Sequence, residues 1–189
     1  SNLILLAKNK KGLEKLFKLS TESFVKSGSE KRSIPEQDIL NNADDIVCII
    51  PSSSPNLRNL ALKKEDLLID QHYKKYLEAF AENLFGGVSN FSKDGYDSAS
   101  ALACNIAKKN NIKAVAINDV LFLEKEDHLA HQAKVAINNA TLLKDEIDNP
   151  NVSSEQYFKT EEELAKFHEF EPLKNTFEVA KSCNVSLST

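Results

Sequence analysis

Asn118 and Asp119 stand just past the run Lys113–Ile117, KAVAI, and His128 and His131 come after them in a charged segment. A carboxylate beyond the end of a strand is a suitable metal ligand, since carboxylate oxygens bind hard cations and zinc alike. The commoner use of an Asn-Asp pair is an Asx-type turn that caps the next segment of chain; both readings of Asp119 stay open. His128 and His131 are three apart and share one face of a helix. Zinc sites use that spacing, but need three or four ligands, and no neighbouring Cys, Asp or Glu cluster completes a set. His131 lies among Ala130, Ala133 and Val135, so a hydrogen-bonded helix histidine is the favoured reading. His72 and His168 fall on polar helices and carry no signal. The hydroxyls of PSSSP (51–55) lack the G-x-S-x-G elbow that exposes a nucleophile. FGGVS (85–89) is too short a glycine signal to stand in for a phosphate loop.

Whatever Asp119 does, strands and helices must hold it there. LILLA (Leu3–Ala7) reads as a strand, and KKGLEKLFKLSTESFVK after it carries Leu13, Leu16, Phe17, Phe24 and Val25 near helical spacing. PEQDILNN suggests a short helix with Pro35 in its first turn. DIVCII (Asp45–Ile50) is a buried strand, broken by PSSSPN. An amphipathic stretch from Leu67 to Asn83 leads to LFGGVSN, a strand candidate weakened by Gly86 and Gly87. KDGYDSASALACNIAKKNN is helical, KAVAI is the best strand in the chain, and another helix covers about Asp127 to Ala140. Ser153 with Gln156, and Thr160 with Glu163, have capping-box spacing, so helices dominate the end. This alternation predicts a parallel α/β sheet or barrel, whose functional loops lie beyond the carboxyl ends of the strands.

The chain has 189 residues, enough for one domain with a sizeable core. With 41% hydrophobic and 28% charged residues it has a soluble globular composition. No apolar run approaches the roughly 20 residues that cross a bilayer, and no secretory signal is present, so the cytoplasm is the expected compartment. Only Arg32 and Arg58 among the 24 basic residues are arginines, and the net charge is −4. That describes a solvated surface rather than a nucleic-acid footprint. Cys48, Cys104 and Cys183, odd in number and far apart, are expected to be reduced and buried. The absence of methionine and the opening on an apolar run suggest a piece of a longer polypeptide.

Three stretches carry a resemblance. LLAKNKKGLEKLFKLST near the start, AVAINDVLFLEKEDHLAH in the middle and SSEQYFKTEEELAKFHEFEPLKNTFEVAKSCNVSL at the end resemble, in that order, the later part of the PHP (polymerase and histidinol phosphatase) domain of bacterial DNA polymerase III alpha subunits. The likeness is strong at Leu5–Ser20 and Ala114–Leu187, and weak between Ser27 and Tyr96.

The resemblance implies an α/β fold: an incomplete PHP-type distorted (βα)7 barrel over residues 1–189, lacking its N-terminal strands. A helical tail from about 141 to 189 would lead toward a polymerase core. Catalytic members of the family gather divalent metal ions with ligands from several strand ends. Of a late D-x-H ligand pair, Asp119 keeps the aspartate while Leu121 stands at the histidine position, which implies a vestigial metal site with no cofactor in this segment. GGVSN (Gly86–Asn90) also stands where the family often has a charged segment.

The implied partners are the remainder of the alpha chain and the proofreading exonuclease subunit. DNA would be met through the parent chain only, no membrane is involved, and the open edge of LILLA could drive self-association. The parent would be a DNA-directed DNA polymerase (a nucleotidyltransferase) and this segment by itself inactive. The alternative is a metal-dependent phosphoesterase or 3'-5' exonuclease.

Overall fold

The structure is a computed structural model that describes residues 2–26, 33–89, 96–148 and 152–186. Four strands form one sheet in the order β1 (Ile4–Ala7), β2 (Ile46–Pro51), β3 (Leu84–Val88) and β4 (Lys113–Ala116). β2, β3 and β4 are parallel, with Cys48 beside Leu84 and Phe85 beside Lys113. β1 departs from the expected parallel arrangement: it runs antiparallel to β2, with Ile4 beside Ile49, and borders the sheet. Its four residues are accordingly only half-buried, whereas every residue of β2 is buried.

Nine helices lie between and after the strands among the described residues: α1 (Lys10–Lys26), α2 (Glu36–Leu40), α3 (Pro55–Leu62), α4 (Asp66–Phe80), α5 (Tyr96–Lys109), α6 (His128–Asn139), α7 (Leu143–Asp148), α8 (Glu161–Leu164) and α9 (Phe170–Ser182). Short 3-10 turns precede β3 and α6. No described helix is long and apolar enough to cross a membrane.

Strand alternation divides the core in two. Leu5, Ile46, Cys48, Ile50 and Leu84 face the helices, where Leu57, Ile69, Tyr73, Tyr76, Phe80, Ala103 and Ala107 pack on them. Ile4, Leu6, Val47, Ile49, Phe85, Val115 and Ile117 face the other way and meet Val179 and Cys183 of the α9 segment. β3 forms with Gly86 and Gly87 inside it, and at Gly87 the neighbouring strands leave little space for a side chain. A Cβ on Gly87 would lie 2.9 Å from Ile117 Cδ1 and 3.0 Å from Ile49 Cγ2.

The start of α1 is tied to the start of β2. Asn9 Oδ1 accepts the Gly12 N–H at 3.1 Å, an N-cap bond. The Asn9 amide donates to Asp45 Oδ1 at 2.7 Å, and Asp45 C=O accepts the Lys8 N–H at 2.9 Å. Asp45 holds a positive φ of 63°, and a Cβ on Gly12 would meet its carbonyl oxygen at 2.2 Å.

Other departures are local. PSSSPN ends β2 as expected but also opens α3, with Pro55 in its first turn and Ser54 as N-cap. The capping box at Thr160 forms in both directions, Glu163 N–H to Thr160 Oγ1 at 3.3 Å and Thr160 N–H to Glu163 Oε2 at 2.8 Å. At Ser153 only half of the pattern forms: its N–H donates to Gln156 Oε1, and a turn comes next instead of a helix. All three cysteines are free, but only Cys48 is fully buried; Cys104 and Cys183 are half-buried. Burial pushes the Cys48 thiol up to about 12.

Candidate functional site

The carboxyl ends of the three parallel strands are joined by side chains just beyond them. Ser52, after β2, donates its N–H to Gly87 C=O at 2.8 Å and accepts the Ser89 N–H on Oγ at 3.3 Å. Ser89, after β3, is 1% exposed, and its hydroxyl reaches Asp119 Oδ2 at 3.5 Å. Asp119 itself is half-buried. Ser54, also buried, has a hydroxyl without a hydrogen-bond partner. Among the described residues, this end of the sheet therefore carries one carboxylate backed by serine hydroxyls. The sequence signal for it was a serine directly after β2 and another directly after β3, which gained meaning only when the strands aligned.

The loop carrying Asp119 is held by a distant segment. Asn118 Nδ2 donates to Tyr157 C=O at 2.8 Å, Leu121 N–H to Gln156 C=O at 2.8 Å, and Gln156 Nε2 to Asp119 C=O at 3.3 Å. Phe122 and Tyr157 complete a parallel bridge. The Asn118 amide thus reaches across the fold, and the Val120 N–H, which an Asx turn would give to the Asn118 side-chain oxygen, bonds to the Asn118 backbone carbonyl at 2.8 Å.

A charged cluster locks the same segment. Lys125 and Lys159 both pair with Glu155, at 2.5 Å and 3.5 Å, and the Lys159 side chain is 2% exposed. Lys159 also donates to the Glu155 carbonyl and lies 4.1 Å from the centre of the Tyr157 ring. Desolvation draws the Lys159 ammonium below the ordinary lysine range, against the pull of Glu155. Burial raises the Glu155 carboxyl, but Lys125 and Lys159 outweigh it and hold it low. Tyr157 donates to Glu163 at 2.8 Å, a bond that pushes its phenol up to about 12. Each of Glu155, Gln156 and Tyr157 in the SSEQY motif is used to fasten the loop.

The histidines are not brought to Asp119. His128 and His131 both pack against the Phe122 ring, at 5.7 and 5.6 Å between centres. His128, rather than His131, bonds to backbone, with Nε2 at 2.9 Å from Val152 O. His72 proves more buried than its polar helix suggested: Nε2 is buried without a partner, and desolvation lowers its pKa against the pull of Glu36. It lines an open cleft of about 500 Å³ with Glu36, Lys75 and Tyr76.

Among the described residues no three His, Cys, Asp or Glu side chains are grouped to hold a metal ion. Leu121, at the position where the resemblance implies a histidine, is 46% exposed and offers no donor. Among the described residues, Asp119 with the neighbouring serine hydroxyls would leave a cation mostly to water.

Comparison with known proteins gives the same direction as the motifs. The chain is similar to DNA polymerase III subunit alpha of Haemophilus influenzae, 27% identical over 98% of this chain, and of Pseudomonas aeruginosa, 28% over 99%. The Escherichia coli K12 protein of that name is 27% identical over 99%. The chain spans 16% of the length of each of these relatives. No family model matches it.

Proposed function

We propose that this chain is a segment of a bacterial replicative DNA polymerase alpha subunit, and that it serves there as a PHP-type structural and partner-docking module with a degenerate metal site. The observation that carries the reading is similarity over nearly the whole chain to proteins named DNA polymerase III subunit alpha, at 27–28% identity. The chemistry of the strand ends supports the second half. Asp119 is accompanied by Ser89 and fastened by Gln156, contacts that order a loop and do not assemble a cation site. With a net charge of −4, contact with DNA falls to the rest of the parent chain. The docking partners are that remainder and the proofreading exonuclease subunit.

The test is metal content and hydrolysis. After dialysis against manganese or zinc, elemental analysis is expected to find well below one ion per chain, with no turnover of p-nitrophenyl phosphate or a 3'-labelled single strand. About one ion per chain, with hydrolysis abolished by Asp119→Asn, would overturn this reading in favour of a metal-dependent phosphoesterase or exonuclease.

A further inference from the structure

α6 and α7 form a helical hairpin whose polarity is reversed. The groups that join the two helices are polar: Gln132 and Glu146 are buried, the Gln132 amide donates to Glu146 C=O at 3.0 Å, and the Thr141 hydroxyl donates to Glu146 Oε1 at 3.1 Å. The turn between them is short. Ala140 takes a left-handed φ of 54°, and the Thr141 N–H returns to Ala136 C=O at 3.0 Å, which closes α6. α6 packs chiefly on α7, so these bonds hold the pair as one unit. Its large apolar side chains face solvent. Leu129 and Ile137 lie on one stripe of α6 with Ala133 between them, and Leu143 and Ile147 are four apart on α7. All four are exposed, Ile137 by 82%, and Leu142 at the turn is exposed by 70%. An apolar stripe on a surface helix ordinarily meets the core, and a patch that meets water instead marks an interaction site.

We propose that α6 and α7 are the surface on which the remainder of the parent chain packs, through an apolar part of that same polypeptide and not through a separable subunit. The inference rests on the reading of this chain as a segment of an alpha subunit. Two observations select the occupant. The chain spans 16% of the length of its relatives, so most of such a polypeptide lies outside residues 1–189. The hairpin is also balanced in charge, with exposed Lys134 and Lys144 offset by exposed Asp145 and Asp148. A partner that must find its site from solution is guided by charge, and an anionic membrane asks for a basic face. An apolar, charge-balanced face suits a permanent interface, which resembles a core cut in two. Gln132, Thr141 and Glu146 fix the spacing of the two stripes before contact, which lowers the ordering cost of packing on them.

Hydroxyl-radical footprinting of the full-length parent chain and of the 189-residue chain tests this by reading side-chain exposure directly. Oxidation of Ile137, Leu142 and Ile147 is expected to be severalfold lower in the parent chain, with no exonuclease subunit or lipid present. Unchanged oxidation would overturn the proposal. So would protection that appears only when the exonuclease subunit is added, or only with phosphatidylglycerol vesicles, since each assigns the surface to another occupant. Melting temperatures give a second reading. Ile137→Lys, at an exposed position, is expected to leave the 189-residue chain unchanged and to lower the parent chain by several degrees, because only there is the side chain covered. Equal shifts in both would count against the surface. Primed DNA synthesis by the parent chain, measured alongside, tests the polymerase reading separately: its absence removes that reading, whereas synthesis without protection of α6 and α7 removes the docking surface alone.

Discussion

The two faces of the sheet are built differently. The face of Ile46, Cys48, Ile50 and Leu84 lies under α3, α4 and α5, with Leu16 of α1 and Ile39 and Leu40 of α2 at its margin. The opposite face meets α9, and there Ile4, Leu6, Phe85 and Ile117 remain only partly buried. The first face is a hydrophobic core covered by several helices. The second is held as much by polar ties at its borders, Thr176 on β4 and Asn184 by β1, as by Val179 beneath it. Non-directional burial stabilises the first face in proportion to area, whereas the second depends on a few directional bonds, each worth about 1 kcal/mol net. Removing single side chains from each face should expose that difference.

Ile69→Ala on α4 is expected to have the largest effect. Ile69 is fully buried in the helix-covered face, and its truncation should cost about 4 kcal/mol in urea denaturation, the transfer loss plus a cavity its neighbours cannot fill. An effect no larger than that of truncating α9 would mean that the faces are equivalent.

The adjacent glycines of β3 compare the faces directly. Gly87→Ala pushes a methyl into Ile117 and Ile49 and should cost about 2 kcal/mol, with Gly86→Ala costing less, since its Cβ meets Ala107 at an ordinary 3.4 Å. Thermal melts of the pair would sharpen the contrast, and equal losses would break it. Val179→Ala, which removes the α9 side chain most deeply set in the second face, should cost about 1.5 kcal/mol.

The smallest effect is a pH dependence at the rim of the first face. Glu36 pairs with Lys75 and accepts from Tyr76 at 2.9 Å, and these contacts hold its carboxyl below the usual 4.5. A depressed folded-state pKa stabilises the protein above the unfolded value, and that contribution is lost as pH falls through the folded pKa. Both partners are substantially exposed, so the effect is small. Melting temperatures of the wild type and Glu36→Gln should differ slightly at pH 7 and converge in acid. A difference that grew in acid would show that the pair does not favour the folded state.

Much of the architecture was legible in the sequence because it depends on local periodicity. Runs such as DIVCII and KAVAI have both faces apolar, which only a strand covered on both sides needs, and the Thr160–Glu163 spacing located the start of α8 from backbone chemistry alone. The motifs that led to the alpha subunits were legible for the same reason, being contiguous. The direction of β1 was not, since an apolar strand reads alike in either direction, and neither was α3, whose Ser-Pro opening also reads as a turn.

The strand-end site was legible by address but not by content. Asp119 stands where strand alternation placed it, yet its companion is Ser89 and not a histidine of α6, and Gln156 holds its loop from far along the chain. Alignment of β2, β3 and β4 sets Ser52, Ser89 and Asp119 side by side; the packing of His128 and His131 on Phe122 keeps the imidazoles elsewhere. Sequence determines which residues can form strands, helices and caps, because those preferences act over a few residues. Which side chains meet at the ends of those elements depends on register and on contacts between distant segments, and only the tertiary structure decides them.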